Sequence, residues 1–374
     1  MSLHAHLAAP DPKLGPLLAK LGPPAPPTDD PLVLRRQFEA ASFLHQAEWE
    51  DRLPPASGYC VEEHAVRADA DGTGEDGHIT VRSYTPTSRD NQPEGGFPLL
   101  VWYHGGGFVA GDLDLDDNYL RNLCADSRLS IVNVGYRLAP EHVFPTGFND
   151  AYVGLKWVRR TPRRNAGFLI PVPIQAASHA PALRASLKTG FIVGGTSAGA
   201  NLAAAVALRA RDDPFFAPGS GKEITGQLLQ TPQVVHPAAD VGRYAPELRS
   251  MEEQAGAPFL TARKLRAFAD ALRAPPNDER ISPLLATSHA GLPRAFIQVF
   301  GMDPLRDEGL LYARLLRDAG VQTQLNVYPG APHTFTMVFP ETEVAARVER
   351  DVRNGLRWLL ASHRPPRDSE CLIL

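Results

Sequence analysis

Phe191-Ile192-Val193-Gly194-Gly195-Thr196-Ser197-Ala198-Gly199-Ala200-Asn201-Leu202-Ala203 begins as a short β-branched and aromatic run, passes through a Gly-x-Ser-x-Gly pattern, and continues in strong helix formers as far as Ala210. The pattern predicts a strand, a sharp turn and a helix. Gly195 and Gly199 have a physical reason to be glycine, because such a turn forces unusual backbone angles and brings strand and helix so close that a Cβ would clash. A serine at its apex stands exposed at a strand's C-terminal end. That geometry suits a nucleophile.

About ninety residues earlier, the strand-length apolar run Pro98-Leu99-Leu100-Val101-Trp102-Tyr103 leads into His104-Gly105-Gly106-Gly107-Phe108. A glycine-rich loop at a strand end offers backbone N–H groups to a developing oxyanion. In a chain with 31 glycines a lone Gly-x-Ser-x-Gly is weak evidence. The two segments in this order are far more specific.

A nucleophilic serine needs a base and a carboxylate to orient it, in the chain order Ser, Asp or Glu, His. Ala295-Phe296-Ile297-Gln298-Val299-Phe300-Gly301 reads as a buried strand, with Asp303 just past its end, where catalytic groups gather in open α/β sheets. Asp307, four residues on, competes with it but fits the first turn of the next helix, where a carboxylate complements the dipole. Gln324-Leu325-Asn326-Val327-Tyr328 alternates as a strand does, and Pro329-Gly330-Ala331-Pro332 delivers His333. Of twelve histidines, His236 and His289 also lie near predicted strands. Only His333 sits between a strand and a long C-terminal helix pattern.

With Tyr136-Arg-Leu-Ala-Pro-Glu-His142, Phe144-Pro145, Ser282-Pro283-Leu284 and Asp303-Pro-Leu-Arg-Asp-Glu308 added, the chain resembles the hormone-sensitive-lipase-like family of esterases, which includes bacterial family IV esterases, plant carboxylesterases and arylacetamide deacetylases. The resemblance spans about 230 residues in the family's order. It implies an α/β-hydrolase fold, a mostly parallel central sheet flanked by helices, with a helical cap. It implies Ser197 as nucleophile, Asp303 and His333 as its partners, and an oxyanion hole from backbone N–H groups of Gly105, Gly106, Gly107 and Ala198. Thr196 stands where many members carry aspartate, as in the family's Gly-Thr-Ser-Ala-Gly branch. The activity implied is hydrolysis of short-to-medium acyl esters of small or medium hydrophobic alcohols through an acyl-enzyme, without metal or organic cofactor. A transacylase, lactonase or deacetylase would use the same residues. A reading from another class is a non-catalytic receptor such as the plant gibberellin receptors, which share the fold but lack the histidine that His333 supplies here.

Composition bounds the rest. The chain has 374 residues, 43% of them hydrophobic, and 38 basic against 42 acidic side chains give −4 without long like-charge runs. No electrostatic footprint for nucleic acid follows. Three widely spaced cysteines, Cys60, Cys124 and Cys371, make neither a disulfide framework nor a zinc pattern, so a reducing, cytoplasmic setting is expected. No apolar run is long enough for a membrane span, though Cys371-Leu-Ile-Leu374 matches a prenylation box. The expected partner is a small-molecule ester, and a homodimer is left open. The predicted organisation is an N-terminal extension with cap helices over 1–60, core over 61–236 with a Pro- and Arg-rich insertion at about 161–189, a cap segment over 237–281, and core with tail over 282–374.

Overall fold

Every residue of Leu99–Tyr103 is buried, and successive side chains enter opposite packing clusters. Leu99, Val101 and Tyr103 join Val132 and Val193 on one side, while Leu100 and Trp102 join Ile131 and Ile192 on the other. A strand apolar on both faces belongs in the middle of a parallel sheet covered on both sides. That is where the computed structural model puts it. The structure describes residues 3–22, 25–43, 49–68, 77–87, 95–157, 183–361 and 371–373.

Among these, β1 (Tyr59–Arg67), β2 (His78–Pro86), β3 (Leu99–Tyr103), β4 (Ser130–Gly135), β5 (Phe191–Thr196), β6 (Gly226–Gln230), β7 (Arg294–Phe300), β8 (Thr323–Tyr328) and β9 (Cys371–Ile373) form one sheet in the order β1-β2-β4-β3-β5-β6-β7-β8-β9. Only β2 runs against its neighbours; every pairing from β4 to β9 is parallel. The helices that matter to the site are α1 (Pro31–Phe43), α2 (Asp117–Ser127), α3 (Thr146–Trp157), α4 (Ala198–Arg211), α5 (Ala262–Leu272), α6 (Arg306–Asp318) and α7 (Glu343–Leu360). Helices α3, α4 and α6 cover one face of the sheet, α2 and α7 the other. Alanine-rich α4 is buried nearly all round, since small side chains let it sit close on the strands.

The predicted strands and helices around the site occur within a few residues of their expected limits, and α5 starts at the N-cap Thr261, whose hydroxyl accepts the Lys264 N–H. Of the predicted helical stretch from Asp29 to Glu50, Pro31–Phe43 form α1, and residues 44–48 lie outside the described residues. Most of the expected insertion at 161–189 lies outside the described residues. From Leu183 it is described, and Ala185 bridges to Phe97. No helix among the described residues is long and apolar enough to cross a membrane.

One of the closest backbone approaches among the described residues is at the β5–α4 turn. A Cβ on Gly199 would lie 1.9 Å from the Tyr103 carbonyl oxygen, and one on Gly195 would lie 2.5 Å from the same atom and 2.4 Å from the Gly199 carbonyl carbon. These glycines let β3, β5 and α4 meet. Gly199→Ala is therefore expected to remove about 3 kcal/mol or more of stability, at the top of the overpacking range, because the obstacle is backbone and cannot rotate away. Gly256→Ala, where a Cβ meets nothing within 4 Å, is expected to change stability by less than about 0.5 kcal/mol. Urea unfolding of both variants checks the contrast.

Candidate active site

Ser197 occupies the turn with φ 57° and ψ −117°, a conformation that costs on the order of 1–3 kcal/mol in a non-glycine residue. Its N–H donates to the Gln230 carbonyl at 2.9 Å, and its own carbonyl accepts from the Asn201 N–H at 3.0 Å. The buried Asn201 side-chain amide donates to the Gln233 and Ile281 carbonyls, each at 2.7 Å, which ties the elbow helix to the loop after β6 and to the end of the segment 237–281.

The structure brings together three of the residues singled out from the sequence. The Ser197 hydroxyl lies 3.1 Å from His333 Nε2, and His333 Nδ1 lies 2.6 Å from Asp303 Oδ2. All three side chains are buried. With Nδ1–H donating to the carboxylate, Nε2 is left as an acceptor for the serine proton. Asp303 Oδ1 accepts the Leu305 N–H at 2.8 Å, which fixes the carboxylate. Asp307 points elsewhere: its Oδ2 takes the N–H groups of Arg249 and Ser250 at 2.9 and 2.7 Å, and its Oδ1 the Arg306 guanidinium at 2.8 Å. It anchors the segment over 237–281, in the first turn of α6. His236 and His289 are buried away from Ser197, with their ring nitrogens bonded to the Ala238 N–H and the Pro283 carbonyl.

Gly106 and Gly107 sit at positive φ, 113° and 64°. The Gly106 carbonyl is taken by Val109 and Ala110 N–H groups at 3.2 and 2.9 Å. No acceptor among the described residues takes the N–H of Gly106, Gly107 or Ala198. Ala198 opens α4, so its N–H also lies at the positive end of a helix dipole. Gly105 serves a neighbour: its carbonyl accepts the His104 Nδ1–H at 2.7 Å. The His104 ring stacks on Tyr136 at 4.3 Å, and the Tyr136 hydroxyl donates to the His104 carbonyl. On Gly107 a Cβ would fall 2.3 Å from the Phe268 ring, so α5 packs directly on this loop. From the other side, Arg35 of α1 donates to the Val109 and Ala139 carbonyls and forks onto Glu141.

Sequence reasoning missed a relay along the strand ends that runs from the cavity wall into the interior. The Thr196 hydroxyl is 3.2 Å from Gln230 Oε1; Gln230 Nε2 donates to Gln298 Oε1 at 2.9 Å; Gln298 Nε2 donates to the Tyr328 hydroxyl at 2.8 Å; and that hydroxyl donates to Asp351 of α7 at 2.9 Å. Its signal in the sequence was a glutamine inside the apolar run Ala295–Phe300. A cavity of about 640 Å³ flanks the site, and its walls include Thr196 and Thr334, the chain neighbours of Ser197 and His333. Among the described residues no group of three or more His, Cys, Asp or Glu side chains is placed to hold a metal ion.

A sheet in this order with a serine on its β5–α4 elbow is the architecture of the α/β-hydrolase class. A family model described as the α/β hydrolase fold matches residues 100–337. The chain is 34% identical over 292 residues to an AB hydrolase superfamily protein of Schizosaccharomyces pombe, covering 78% of this chain and 77% of that one. It is 36% identical over 280 residues to the carboxylic ester hydrolase LipN of Mycobacterium tuberculosis, with 74% and 66% covered. The crystal structure of vibralactone cyclase matches with a TM-score of 0.83 at 36% identity, over 95% of this chain and 96% of that one. The chain belongs to the α/β-hydrolase family, in its hormone-sensitive-lipase-like group.

Two buried groups beside the glycine loop titrate in opposite senses. Burial lowers the His104 pKa from 6.5 to about 4, outweighing the bond to Gly105. The unfolded chain thus binds the proton first, and stability is lost as pH falls from about 6.5 through 4. Burial raises the Asp116 carboxyl from 3.8 to about 6 despite the Trp102 indole bond, with Asp112 adding to the rise. Here the folded state holds the proton longer, so stability is lost as pH rises from about 4 through 6. Asp116→Asn is expected to raise stability at pH 7 by about 3 kcal/mol, with the gain closing to near zero by about pH 4. Urea midpoints of the two proteins at both pH values measure this. An equal difference at the two pH values overturns it.

Proposed function

We propose that the chain is a serine carboxylesterase acting on short-to-medium acyl esters of small or medium hydrophobic alcohols. The observation that carries this reading is the hydrogen-bonded line from Ser197 through His333 to Asp303, beside a loop whose N–H groups are untaken. In it Ser197 attacks the ester carbonyl as His333 Nε2 takes its proton, and Asp303 holds the imidazole and stabilises its charged form. The N–H groups of Gly106, Gly107 and Ala198 receive the oxyanion, each worth on the order of 3 kcal/mol of transition-state stabilisation. His333 returns the proton to the leaving alcohol and then activates the water that frees the acyl group.

We assign α1 and α5 to a cap that decides what reaches the serine, since α5 packs on Gly107 and α1 is tied to the same loop by Arg35. The reading places the enzyme in the cytoplasm, in keeping with the free thiols of Cys60 and Cys124. It does not extend to prenylation at Cys371, because Cys371–Ile373 pair with Leu325–Val327 as the sheet's last strand. A second reading, acyl transfer to an alcohol instead of water, draws on the neighbour named a vibralactone cyclase.

The test is hydrolysis of p-nitrophenyl esters from acetate to decanoate, with fluorophosphonate labelling. Ser197→Ala is expected to abolish labelling and to lower kcat at least about a thousandfold. Asp303→Asn is expected to lower kcat by a similar factor, through the wrong tautomer and the lost counter-charge. Asp307→Asn is expected to lose less than about tenfold, its effect falling instead on stability through the freed Arg249 and Ser250 N–H groups. A crippling Asp307→Asn beside a mild Asp303→Asn sinks the assignment.

A further inference from the structure

Six carboxylates line the cavity beside Ser197 and His333, and no Lys, Arg or His is among its described lining residues. Arg82 pairs with Asp114 and Asp117, and Arg52 with Glu349. Asp112, Asp116 and Glu39 have no cationic partner within ion-pair distance among the described residues. Asp112 and Glu39 are exposed at the mouth, where water screens them. Asp116 is different. It is 7% exposed, its Oδ2 accepts the Trp102 indole N–H at 2.8 Å, and its Oδ1 has no hydrogen-bond partner among the described residues while remaining open to the cavity. The same cavity is lined by the aromatic side chains of Phe38, Trp49 and Tyr119, and one face of Trp49 already carries the Arg52 guanidinium, 4.9 Å from the ring centre.

An unpaired, nine-tenths buried carboxylate is unfavourable in the empty protein, as its upward-shifted pKa reflects. It also lies near a site that must stabilise a negative oxyanion. Both penalties are offset by a cation held between the carboxylate and the aromatic walls, where charge attraction and the ring quadrupoles act together. A neutral alkyl group gains nothing from Asp116, and an anionic one is repelled by three carboxylates.

We propose that this cavity is a cation subsite, in which Asp116 and the aromatic side chains of Phe38, Trp49 and Tyr119 hold a quaternary or protonated amine carried by the substrate. The subsite rests on geometry alone; its role in choosing substrates rests on the esterase reading above, and makes amino-alcohol or amino-acyl esters the favoured class. Asp116 acts here as a specificity residue, apart from the bond-breaking groups.

The experiment pairs isosteric probes. Choline and its uncharged isostere 3,3-dimethylbutan-1-ol are titrated calorimetrically into wild-type protein and Asp116→Asn. Wild type is expected to bind choline at least tenfold more tightly than the isostere, and Asp116→Asn to lose that preference. In parallel, the ratio of kcat/KM for butyrylthiocholine to that for the thiobutyrate of 3,3-dimethylbutane-1-thiol is expected to exceed ten and to fall towards one in the variant. Asparagine keeps an acceptor for the Trp102 indole. Should the variant nevertheless fail to fold, Asp112→Asn at the exposed mouth is expected to reduce the choline preference two- to threefold. Equal binding of the two probes by wild type, or a preference that survives Asp116→Asn, overturns the subsite. Asp116-dependent choline binding without hydrolysis of either thioester, or of any p-nitrophenyl ester, overturns the esterase reading and leaves the subsite standing.

Discussion

Much of this molecule depends on one contact without side chains: the approach of Gly195 and Gly199 to the Tyr103 carbonyl oxygen. Tyr103 ends β3 and starts the chain into the glycine loop; Gly195 lies in β5, and Gly199 in the first turn of α4. Because no Cβ separates them, the loop that presents untaken N–H groups and the turn that presents Ser197 sit in adjacent layers of one structure. A methyl group at either glycine would push apart the two halves of the site. The strained backbone of Ser197 is tolerable for the same reason, since its N–H and carbonyl are both hydrogen-bonded and the surrounding packing over-determines it.

From that contact the site is braced sideways by polar side chains that the sheet buries. Gln230 and Gln298 stand opposite each other in the register of β6 and β7, and Tyr328 ends β8 one strand over. The relay from Thr196 to Asp351 therefore links the strand that ends in the nucleophile turn with the strand that leads to His333, and fastens both to α7. Hydrogen bonds in such a chain polarise one another where it is buried, from Gln298 through Tyr328 to Asp351, and removing a member there strands its neighbours. Thr196, at a position where the resembled family often has aspartate, enters this relay through its hydroxyl. Its place in the molecule is thus more than packing at the elbow.

The parts of the site that were legible in the sequence are those whose constraint is local. Gly-x-Ser-x-Gly and the triple glycine announce themselves because a turn needs particular residues within a few positions. Asp303 and His333 were legible because each follows a strand pattern closely; Asp307 fitted the first turn of the next helix instead, and only His333 lay between a strand and a long helix pattern. Asp303 and Asp307 are both buried acids beside the same helix start; what distinguishes them is that one faces His333 and the other the Arg249–Ser250 backbone. The relay, the Arg35 strut and the seclusion of Asp116 could not be read in advance, since they come from strand register and from helices docked across hundreds of residues. The run Asp112-Leu-Asp-Leu-Asp-Asp117 looks uniformly solvated as a string of letters. In the fold Asp114 and Asp117 are paired, Asp112 is exposed, and Asp116 is enclosed.

That last difference separates a charge that the fold uses for stability from one it does not. Asp117 meets Arg82, Arg121 and the Tyr84 hydroxyl, so its burial is compensated by opposite charge and hydrogen bonds. Asp116, the next residue back, has an indole and an open cavity. Between about pH 6.5 and 4 acidification relieves Asp116, while the unfolded chain takes up the proton that buried His104 refuses, so the two largely offset in the acid stability of the whole protein. A hydrophobic or amide side chain at 116 would serve folding better at neutral pH. Glu308 is also enclosed without a cation, but its carboxylate turns inward to the Val234 N–H, whereas Asp116 opens on the cavity beside the nucleophile, where a cation brought from outside the chain can meet it.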